Sequence, residues 1–429
     1  MARRGEIVGA VDFGSREIRV LIARKDDDGS LQILGHGTAS GRGCVSQGVI
    51  QDIDATQMAL KRALADAEKE ARVKVRSLFC GVNGRNVETF IREGNVKLER
   101  EIVEQTHMDE AIDIASRDIL APGKRIASSI SAQEWYVDDL RVMAPAGIRG
   151  QVLKTRIHFA RLPAVIEDNM ITCVESQRCE VEDVIFTPLA AALGCLTPED
   201  TELGIGILDI GRSTTGLAIY RDHRILGTHC FEWGGYHLTR DVAAGLQTSF
   251  EEANELILEY GIPIELVRAD ANGARDGGSH ENLREERAAR IKLKNAVHGA
   301  PTIVDRSELD VIVFERAKEL MTKVRQHVHA RGLMKHLVRG MVLTGGGAVI
   351  KNHVHLAEAV FQVPCRVGYP DRVEILPQAV AAPEFVVAVG IVRHAFAFRE
   401  ATRNGRIKVR GPLGSGLRRV TDWARKYFM

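Results

Sequence analysis

The sequence predicts an α/β protein with two similarly built domains. The first observation is a segment that occurs twice, as VGAVDFGSREIRVLIAR from residue 8 and as IGILDIGRSTTGLAIYR from residue 205. In each copy an apolar strand ends in Asp-x-Gly and turns directly into a second strand, which indicates duplicated domains. The second observation is a short apolar strand at residues 341–344 that is followed by three glycines and a helical stretch from Ala348. We expect the two Asp-x-Gly turns to face each other.

Each turn carries groups suited to binding a polyphosphate. Glycine lets successive backbone N–H groups approach an anion, and the Asp before it is a hard oxygen donor suited to a hydrated magnesium ion. A single Asp-x-Gly after an apolar strand is more often only a turn. Two such turns together with a glycine-rich connection, against which a flat base or ribose can lie, predict a nucleotide site.

The composition bounds the class of protein. With 429 residues and 45% apolar content, the chain can bury a large core in at least two domains, and a net charge of +1 argues against bulk nucleic-acid binding. The seven cysteines are scattered without a C-x-x-C spacing, so we expect buried thiols in a reducing compartment and neither zinc nor disulfide bonds. The N-terminus does not resemble a secretory signal, and no stretch reaches the roughly 18 apolar residues of a membrane-spanning helix.

Apolar periodicity predicts the elements between the two copies. Residues 84–162 differ in composition from the flanking sequence. They predict charged strands and one helix, and they look like an inserted module. The predicted elements, in order, are a helix at 54–72, a strand at 77–82, a helix near 108–120, a helix at 165–176, a strand at 181–186 and a tightly packing small-residue helix at 188–196.

The elements after the second copy are mainly helical. Residues 267–300 have mixed charge and several glycines, which predicts exposed strands and loops. Ser307 and Asp310 form a candidate capping box for a helix that reaches about residue 330. The other predicted helices lie at 237–245, 250–260 and 384–398.

The composition of the sequence changes near the C-terminus. Residues 401–416 are rich in glycine and basic residues and predict a flexible cationic linker. The last residues predict an amphipathic helix, which we expect to bind an anionic membrane surface, although docking on the protein itself or on a partner helix is an alternative. Its candidate membrane-binding residues are Leu417, Arg418, Arg419, Val420, Trp423, Arg425, Lys426, Tyr427 and Phe428.

Taken together, these motifs resemble the FtsA family of bacterial cell-division proteins, members of the actin and sugar-kinase superfamily. VDFGSREI and LDIGRSTTGLAIY are similar to its two phosphate motifs, LTGGGAVIKN to its adenosine motif and PEFVVAVGI to its second connecting segment. The stretch FEWGGYHLTRDVAAGLQTSFEEANELILEYG is similar to the segment that follows the second phosphate motif. The resemblance extends from Ile7 to the C-terminus.

The resemblance implies an actin-like two-lobed fold with duplicated ribonuclease-H-like subdomains, an inserted family-specific subdomain and a C-terminal amphipathic helix. The implied divisions are subdomain IA at 1–83, completed by 163–198 and 383–400; inserted subdomain IC at 84–162; subdomain IIA at 199–240, completed by 310–382; subdomain IIB at 241–309; a linker at 401–416; and a membrane-targeting helix at 417–429.

The resemblance also implies a function. A member of this family binds ATP with Mg2+, polymerises, tethers FtsZ filaments to the inner face of the cytoplasmic membrane at the division site and recruits later division proteins. The implied partners are therefore FtsZ, further copies of the chain, anionic membrane lipid and later division proteins, with no nucleic acid. The FtsZ-binding surface would lie on residues 241–309.

The implied site residues follow the matched motifs. We expect Asp12 and Asp209 to hold Mg2+ through water. The expected nucleotide contacts are Gly14, Ser15, Gly211, Ser213, Thr214 and Thr215 with the phosphates, Gly345, Gly346 and Gly347 with the nucleoside, and Gly235 near the ribose.

The sequence departs from the family pattern at several positions. Arg212 replaces a common glycine, Gly216 replaces an acid, and Thr187 stands where relatives carry Glu or Gln that can hold water. The stretch 251–259 lacks the lysine expected near the adenine. We therefore expect nucleotide binding with slow or absent hydrolysis. Two alternatives remain open: an actin-fold small-molecule kinase, which would need a catalytic base, and a pilus-type actin-like adaptor whose tail binds a peptide.

Overall fold

A computed structural model describes residues 5–84, 86–99, 102–117, 119, 123–127, 133–142, 144–271, 290–295 and 302–403. Two five-stranded sheets in it share one plan, an antiparallel three-stranded meander joined through its first strand to parallel strands. The strand order of the first sheet is Glu180–Phe186, Ser77–Val82, Glu6–Phe13, Glu17–Lys25, Leu31–Ser40. That of the second is Arg224–Phe231, Thr215–Arg221, Ile205–Ile210, Met341–Thr344, Cys365–Val367.

The duplicated segments occupy equivalent places in these two sheets. Asp12 lies beside Gly81 of a parallel neighbouring strand, and Asp209 lies beside Thr344 of the corresponding neighbour. The predicted strand-turn-strand units are therefore confirmed. Because the pattern of apolar residues is the same in both copies, the same register forms twice, and each Asp comes at the end of its strand.

A third five-stranded sheet is formed by the residues between strand Ser77–Val82 and helix Ala164–Glu175. Its strands are Glu88–Lys97, Lys124–Ala127, Gln133–Val137, Leu140–Val142 and Val152–Pro163, all antiparallel around the long last strand. Two small hairpins complete the strands, Val45–Ser46 with Val49–Ile50 and Arg290–Lys292 with Ile303–Asp305. The subdomain boundaries given above stay predictions.

The helices cover the faces of these sheets. Their bounds are Ile53–Ala71, Gln105–Ala115, Ala164–Glu175, Thr187–Cys195, Pro198–Leu203, Gly235–Gly245, Phe250–Tyr260, Ile264–Ala271, Arg306–Ala330, His353–Phe361 and Val386–Arg403, with short 3-10 helices at Met334–His336, Gln378–Val380 and Pro383–Phe385. Two separate hydrophobic cores result. The larger lies around the first and third sheets and includes one face of the second sheet, with Ile207, Ala218 and Val342; the smaller covers the other face of the second sheet. We call the part built on the first and third sheets the first lobe and the part built on the second sheet the second lobe.

Two small-residue helices pack closely next to the cleft between the lobes. A Cβ built on Gly390 would lie 1.7 Å from the carbonyl oxygen of Ala190, and one on Gly194 would lie 2.1 Å from that of Val386. Only glycine permits this approach of two helix backbones, because any side chain would overlap a carbonyl. The predicted tight packing of the helix at 188–196 is confirmed.

Three details of the sequence prediction are wrong. The helix predicted at 384–398 continues to Arg403, so residues 401–403, predicted as the start of the linker, are helical. The capping box at Ser307 does not form, because helix Arg306–Ala330 begins earlier, with Asp305 at the N-cap and Asp310 buried beside Arg306. The helical stretch expected from Ala348 is a series of turns, and its helix begins only at His353.

All seven cysteines are free thiols, and six of them are buried. No helix in the described part of the chain is long and apolar enough to cross a membrane. The predicted linker from residue 404 onward and the predicted tail lie outside the described residues.

Candidate functional site

The two Asp-x-Gly turns face each other across a cleft between the lobes. Each follows the carboxyl end of its strand, the edge at which open α/β sheets bind ligands. The hydroxyl oxygens of Ser15 and Ser213, one from each turn, lie 2.5 Å apart. The prediction that the turns face each other is confirmed.

Two adjacent cavities fill this cleft. The first encloses about 880 Å³ and the second about 660 Å³, both including their open mouths. Their shared lining residues are Arg16, Gly211, Arg212 and Gly346, so the two cavities meet at the second turn.

Most candidate residues line these cavities. The first cavity is lined by Asp12, Gly14, Ser15, Asp209, Gly211, Thr214, Gly345 and Gly346, and the second by Gly211, Gly235, Gly346 and Gly347. Ser213 and Thr215 line neither cavity. The Thr215 hydroxyl donates to the Trp233 carbonyl oxygen at 2.8 Å, and the Ser213 hydroxyl oxygen accepts from the Gln47 amide at 2.9 Å. The candidate membrane-binding residues from Leu417 to Phe428 lie outside the described residues.

The two aspartates lie in the first cavity with incomplete charge compensation. Burial raises the pKa of Asp12, while Arg19, whose Nη1 lies 3.9 Å from Asp12 Oδ2, lowers it. Burial and the neighbouring Asp12 raise the pKa of Asp209 to about 7. A cation between them would relieve this cost.

This carboxylate pair fits a hydrated divalent cation. The residues described include no cluster of three or more potential metal-binding side chains. Mg2+ usually keeps several waters and takes one or two carboxylates together with substrate phosphates, so a pair of aspartates suffices for it. The donor set therefore fits Mg2+ held through water.

The glycine turn after strand Met341–Thr344 completes the cleft. Gly345 has φ +76°, and a Cβ built on it would lie 2.4 Å from Asp209 Oδ1, so this position requires glycine. A Cβ on Gly346 would have no neighbour closer than 3.8 Å. Gly346 is therefore not required by the fold and faces open cleft.

Several lining residues were missed by the sequence analysis. Arg16, Asn83 and Glu384 line the first cavity, and Arg42 and Tyr236 line the second. The sequence signal for Arg16 was its position directly after the first turn, and that for Glu384 was its place in PEFVVAVGI. Arg42 gave no local signal, because it enters the second cavity from the other lobe.

The departures from the family pattern have structural counterparts. A Cβ on Gly216 would lie 2.9 Å from Pro188 Cγ, so a side chain at this position would have to displace the Pro188 ring. Thr187 lines the first cavity, and its buried hydroxyl has no hydrogen-bond partner among the described residues. The stretch 251–259 receives a basic residue from the first lobe, since Arg42 Nη1 lies 3.1 Å from Glu251 Oε1.

Sequence comparison identifies similar proteins. A family model described as "Cell division protein FtsA" matches residues 206–390. The cell division protein FtsA of Neisseria meningitidis serogroup B is 27% identical over 434 residues, covering 100% of both chains. The protein of the same name from Pseudomonas aeruginosa is 28% identical over 391 residues, covering 91% of this chain and 89% of its own.

Solved structures of similar fold were also found. The PilM-PilN type IV pilus biogenesis complex matches with a TM-score of 0.57 at 15% identity, covering 90% of this chain and 98% of its own. MreB5 of Spiroplasma citri bound to AMPPNP matches with a TM-score of 0.53 at 14% identity, and the match covers 94% of this chain and 99% of the MreB5 chain. At these identities the likeness concerns the fold alone. The prediction of an actin-like α/β fold is confirmed.

Proposed function

We infer that this chain belongs to the FtsA family of actin-like cell-division proteins and works as an ATP-binding polymer that links division filaments to a membrane. In full, we propose that it polymerises, tethers FtsZ filaments to the inner face of the cytoplasmic membrane at the division site and recruits later division proteins. The observation that carries the nucleotide part is the meeting of two Asp-x-Gly turns and one glycine turn around a single cleft.

The lining residues assign roles toward ATP. Asp12 and Asp209 would hold Mg2+ through water, and the bound ion would neutralise phosphate charge. The turns at Gly14 and Gly211 would contact the phosphates. Gly235, Gly346 and Gly347, at the second cavity, would contact ribose and base together with Tyr236 and Phe250, whose rings stack 5.6 Å apart. Since Ser15 and Thr214 line the first cavity, whereas Ser213 and Thr215 line neither cavity, we expect the hydroxyl contacts with the phosphates to come from Ser15 and Thr214.

Hydrolysis is proposed to be slow. Activating an attacking water usually requires a side chain that accepts a proton or holds the water. At the position where the resemblance implies Glu or Gln, Thr187 has a short hydroxyl and neighbours the close contact of Pro188 with Gly216. The cleft is therefore better suited to holding ATP than to consuming it.

The partner and membrane parts rest on the family and on the tail sequence. The relatives named above are cell division proteins, and each matches this chain over nearly its full length, which supports a role in division. FtsZ binding by residues 241–309, self-assembly and recruitment of later division proteins are proposals from that membership. Membrane binding is proposed for residues 417–429, where apolar and basic residues alternate at helical spacing.

Liposome flotation tests the proposed function. The full-length protein and a chain ending at Gly416 are mixed with anionic liposomes, each with and without ATP and Mg2+. We expect only the full-length protein to float. Flotation should increase with ATP, because assembly links several tails that each bind the membrane weakly, and the linked tails bind it more tightly.

The same experiment separates the parts of the proposal. Flotation of the shortened chain would overturn the tail as the anchor. Flotation of the full-length protein that does not respond to ATP would overturn nucleotide-dependent assembly. Neutral liposomes serve as the control, since the basic side chains should require anionic lipid.

A further inference from the structure

Three arginines converge where the two cavities meet. Arg16 and Arg212 line both cavities, and Arg42 lines the second. Arg16 and Arg42 belong to the first lobe, whereas Arg212 belongs to the second turn. The aspartate pair lies in the first cavity, and the stacked rings of Tyr236 and Phe250 belong to the second. The arginines therefore lie between the proposed metal site and the proposed base site.

Arg212 is fixed across the cleft without an acidic partner. Its Nη1 donates to the carbonyl oxygen of Ser15 in the opposite turn at 3.4 Å, and its guanidinium lies 5.1 Å from the centre of the Tyr236 ring. Both contacts hold the Arg212 guanidinium in place, and neither partner carries a negative charge that would neutralise it. Its other donors remain available for an anion, since a guanidinium has five N–H groups.

The arginines at this place are only partly paired, although the carboxylates of Asp12, Asp209 and Glu384 also line the first cavity. Arg42 is paired with Glu251, but within the described part of the chain neither Arg16 nor Arg212 has a carboxylate within the 4.0 Å of an ion pair. Burial and then the neighbouring Arg42 lower the pKa of Arg212. Burial and mutual repulsion of the arginines destabilise their charged forms in the free protein, and a polyanion that binds among them would remove this cost.

We propose that Arg212, with Arg16, binds the phosphate chain of the nucleotide where the cavities meet and supplies positive charge that a divalent cation otherwise provides. The consequence is that nucleotide binding by this chain depends only weakly on Mg2+. This inference rests on the proposed ATP-binding function and concerns the same cleft. Guanidinium groups suit the task because their planar donors form paired, charge-assisted hydrogen bonds with phosphate oxygens.

Titration of ATP into the full-length protein, once with Mg2+ and once with EDTA, tests the inference. Arg212→Gly restores the residue that the family resemblance implies, and Arg212→Lys keeps a charge without the planar fork. Arg178→Gly is the control: Arg178 is exposed, lines neither cavity and has φ +59°, which glycine adopts easily. Thermal unfolding without nucleotide checks that each variant folds.

The inference predicts a change in metal dependence. With EDTA, Arg212→Gly should bind ATP about tenfold more weakly than the wild type, the size expected for losing a hydrogen bond from a charged group. With Mg2+ the loss should be about threefold or less, because the ion supplies the missing charge. Arg212→Lys should lie between, and Arg178→Gly should match the wild type in both conditions.

Two other outcomes overturn the inference, and they differ from each other. An equal loss with and without Mg2+ would mean that Arg212 contributes to binding but does not replace the charge of the ion, and no loss would mean that Arg212 only holds the lobes together. In either case ATP binding by the wild type would still support the proposed function. Absence of ATP binding by the wild type in both conditions would overturn this inference and the proposed function together.

Discussion

Ser15 and Ser213 form a direct hydrogen bond between the two lobes, with their hydroxyl oxygens 2.5 Å apart. Ser213 also accepts from the backbone amide of Gln47, whose side-chain amide donates to the carbonyl oxygen of Glu232 at 3.1 Å. Each of these bonds joins a residue before position 50 to one after position 210. Without any ligand, the lobes are thus already joined beside the cleft.

Ser213→Ala should loosen this junction. It removes two hydrogen bonds, each contributing about 0.5–1.5 kcal/mol, so the free energy of unfolding should fall by about 1–3 kcal/mol. Hydrogen exchange of the Gln47 amide should accelerate. Thr201→Ala is the matched control, because its exposed hydroxyl bonds only within one lobe, to Pro198 and His223. Unchanged exchange at Gln47 would contradict the assigned role of Ser213.

Asp209 should make the stability of the nucleotide-free protein fall as pH rises. Its folded-state pKa is raised from 3.8 to about 7, so between these values the folded protein holds a proton that the unfolded chain has lost. The contribution of Asp209 to stability is therefore fully present below about pH 4, declines toward pH 7 and then levels, whereas carboxyl groups with lowered pKa values, such as that of Asp200, contribute in the opposite direction at low pH. Asp209→Asn, which stays neutral, should be more stable than the wild type at pH 8 by at least about 1 kcal/mol.

Thermal unfolding at pH 5 and pH 8 checks this dependence. The difference between Asp209→Asn and the wild type should be larger at pH 8. Asp222→Asn is the control, because Asp222 lies in an exposed turn with φ +51°, which Asn also tolerates. An equal difference at both pH values would show that Asp209 is ionised in the folded protein across the whole range.

Thr187→Ala should leave ATP hydrolysis nearly unchanged. If Thr187 does not activate water, removing its hydroxyl should change the hydrolysis rate by about twofold or less, whereas loss of a general base typically costs roughly 100-fold or more. Phosphate release from the full-length protein with Mg2+ measures this rate. A tenfold or greater fall, in a variant that still binds ATP, would identify Thr187 as part of a catalytic device.

The regular elements could be predicted because their signals are local. Strand Ser77–Val82 and helix Phe250–Tyr260 have the bounds that apolar periodicity gives. The start of helix Arg306–Ala330 was predicted two residues too late, at Ser307, whereas the N-cap is Asp305 and Asp310 is buried beside Arg306.

The cleft could be predicted only in part. The two aspartates and the glycines were found because the duplicated motif marks them. Arg42 was not, because it meets Glu251 across 209 positions of sequence, and such a contact depends on how the lobes meet. The side chains of Ser213 and Thr215 could not be oriented from sequence either, since their partners belong to other elements.

Gly346→Asp should abolish tight nucleotide binding without disturbing the fold. The nearest neighbours of a Cβ there lie 3.8 Å away, at Glu384, and 3.9 Å away, at Arg16, so the folded protein has room for a side chain. A carboxylate would place negative charge where phosphates and base are expected. Gly346→Ala adds only a methyl group and should weaken binding less. Gly227→Ala is the control for the methyl group, because a Cβ there would meet only Leu333 Cδ1, at 3.4 Å, and Gly227 lines neither cavity.

Calorimetric titration of ATP with Mg2+ into the full-length protein and Gly346→Asp is the most direct test of the cleft as a nucleotide site. The account predicts saturable binding by the wild type with one site per chain. It predicts at least about tenfold weaker binding by the variant, a loss of about 1.4 kcal/mol, with an unchanged unfolding midpoint. No binding by the wild type, or equal affinity in the variant, would contradict it.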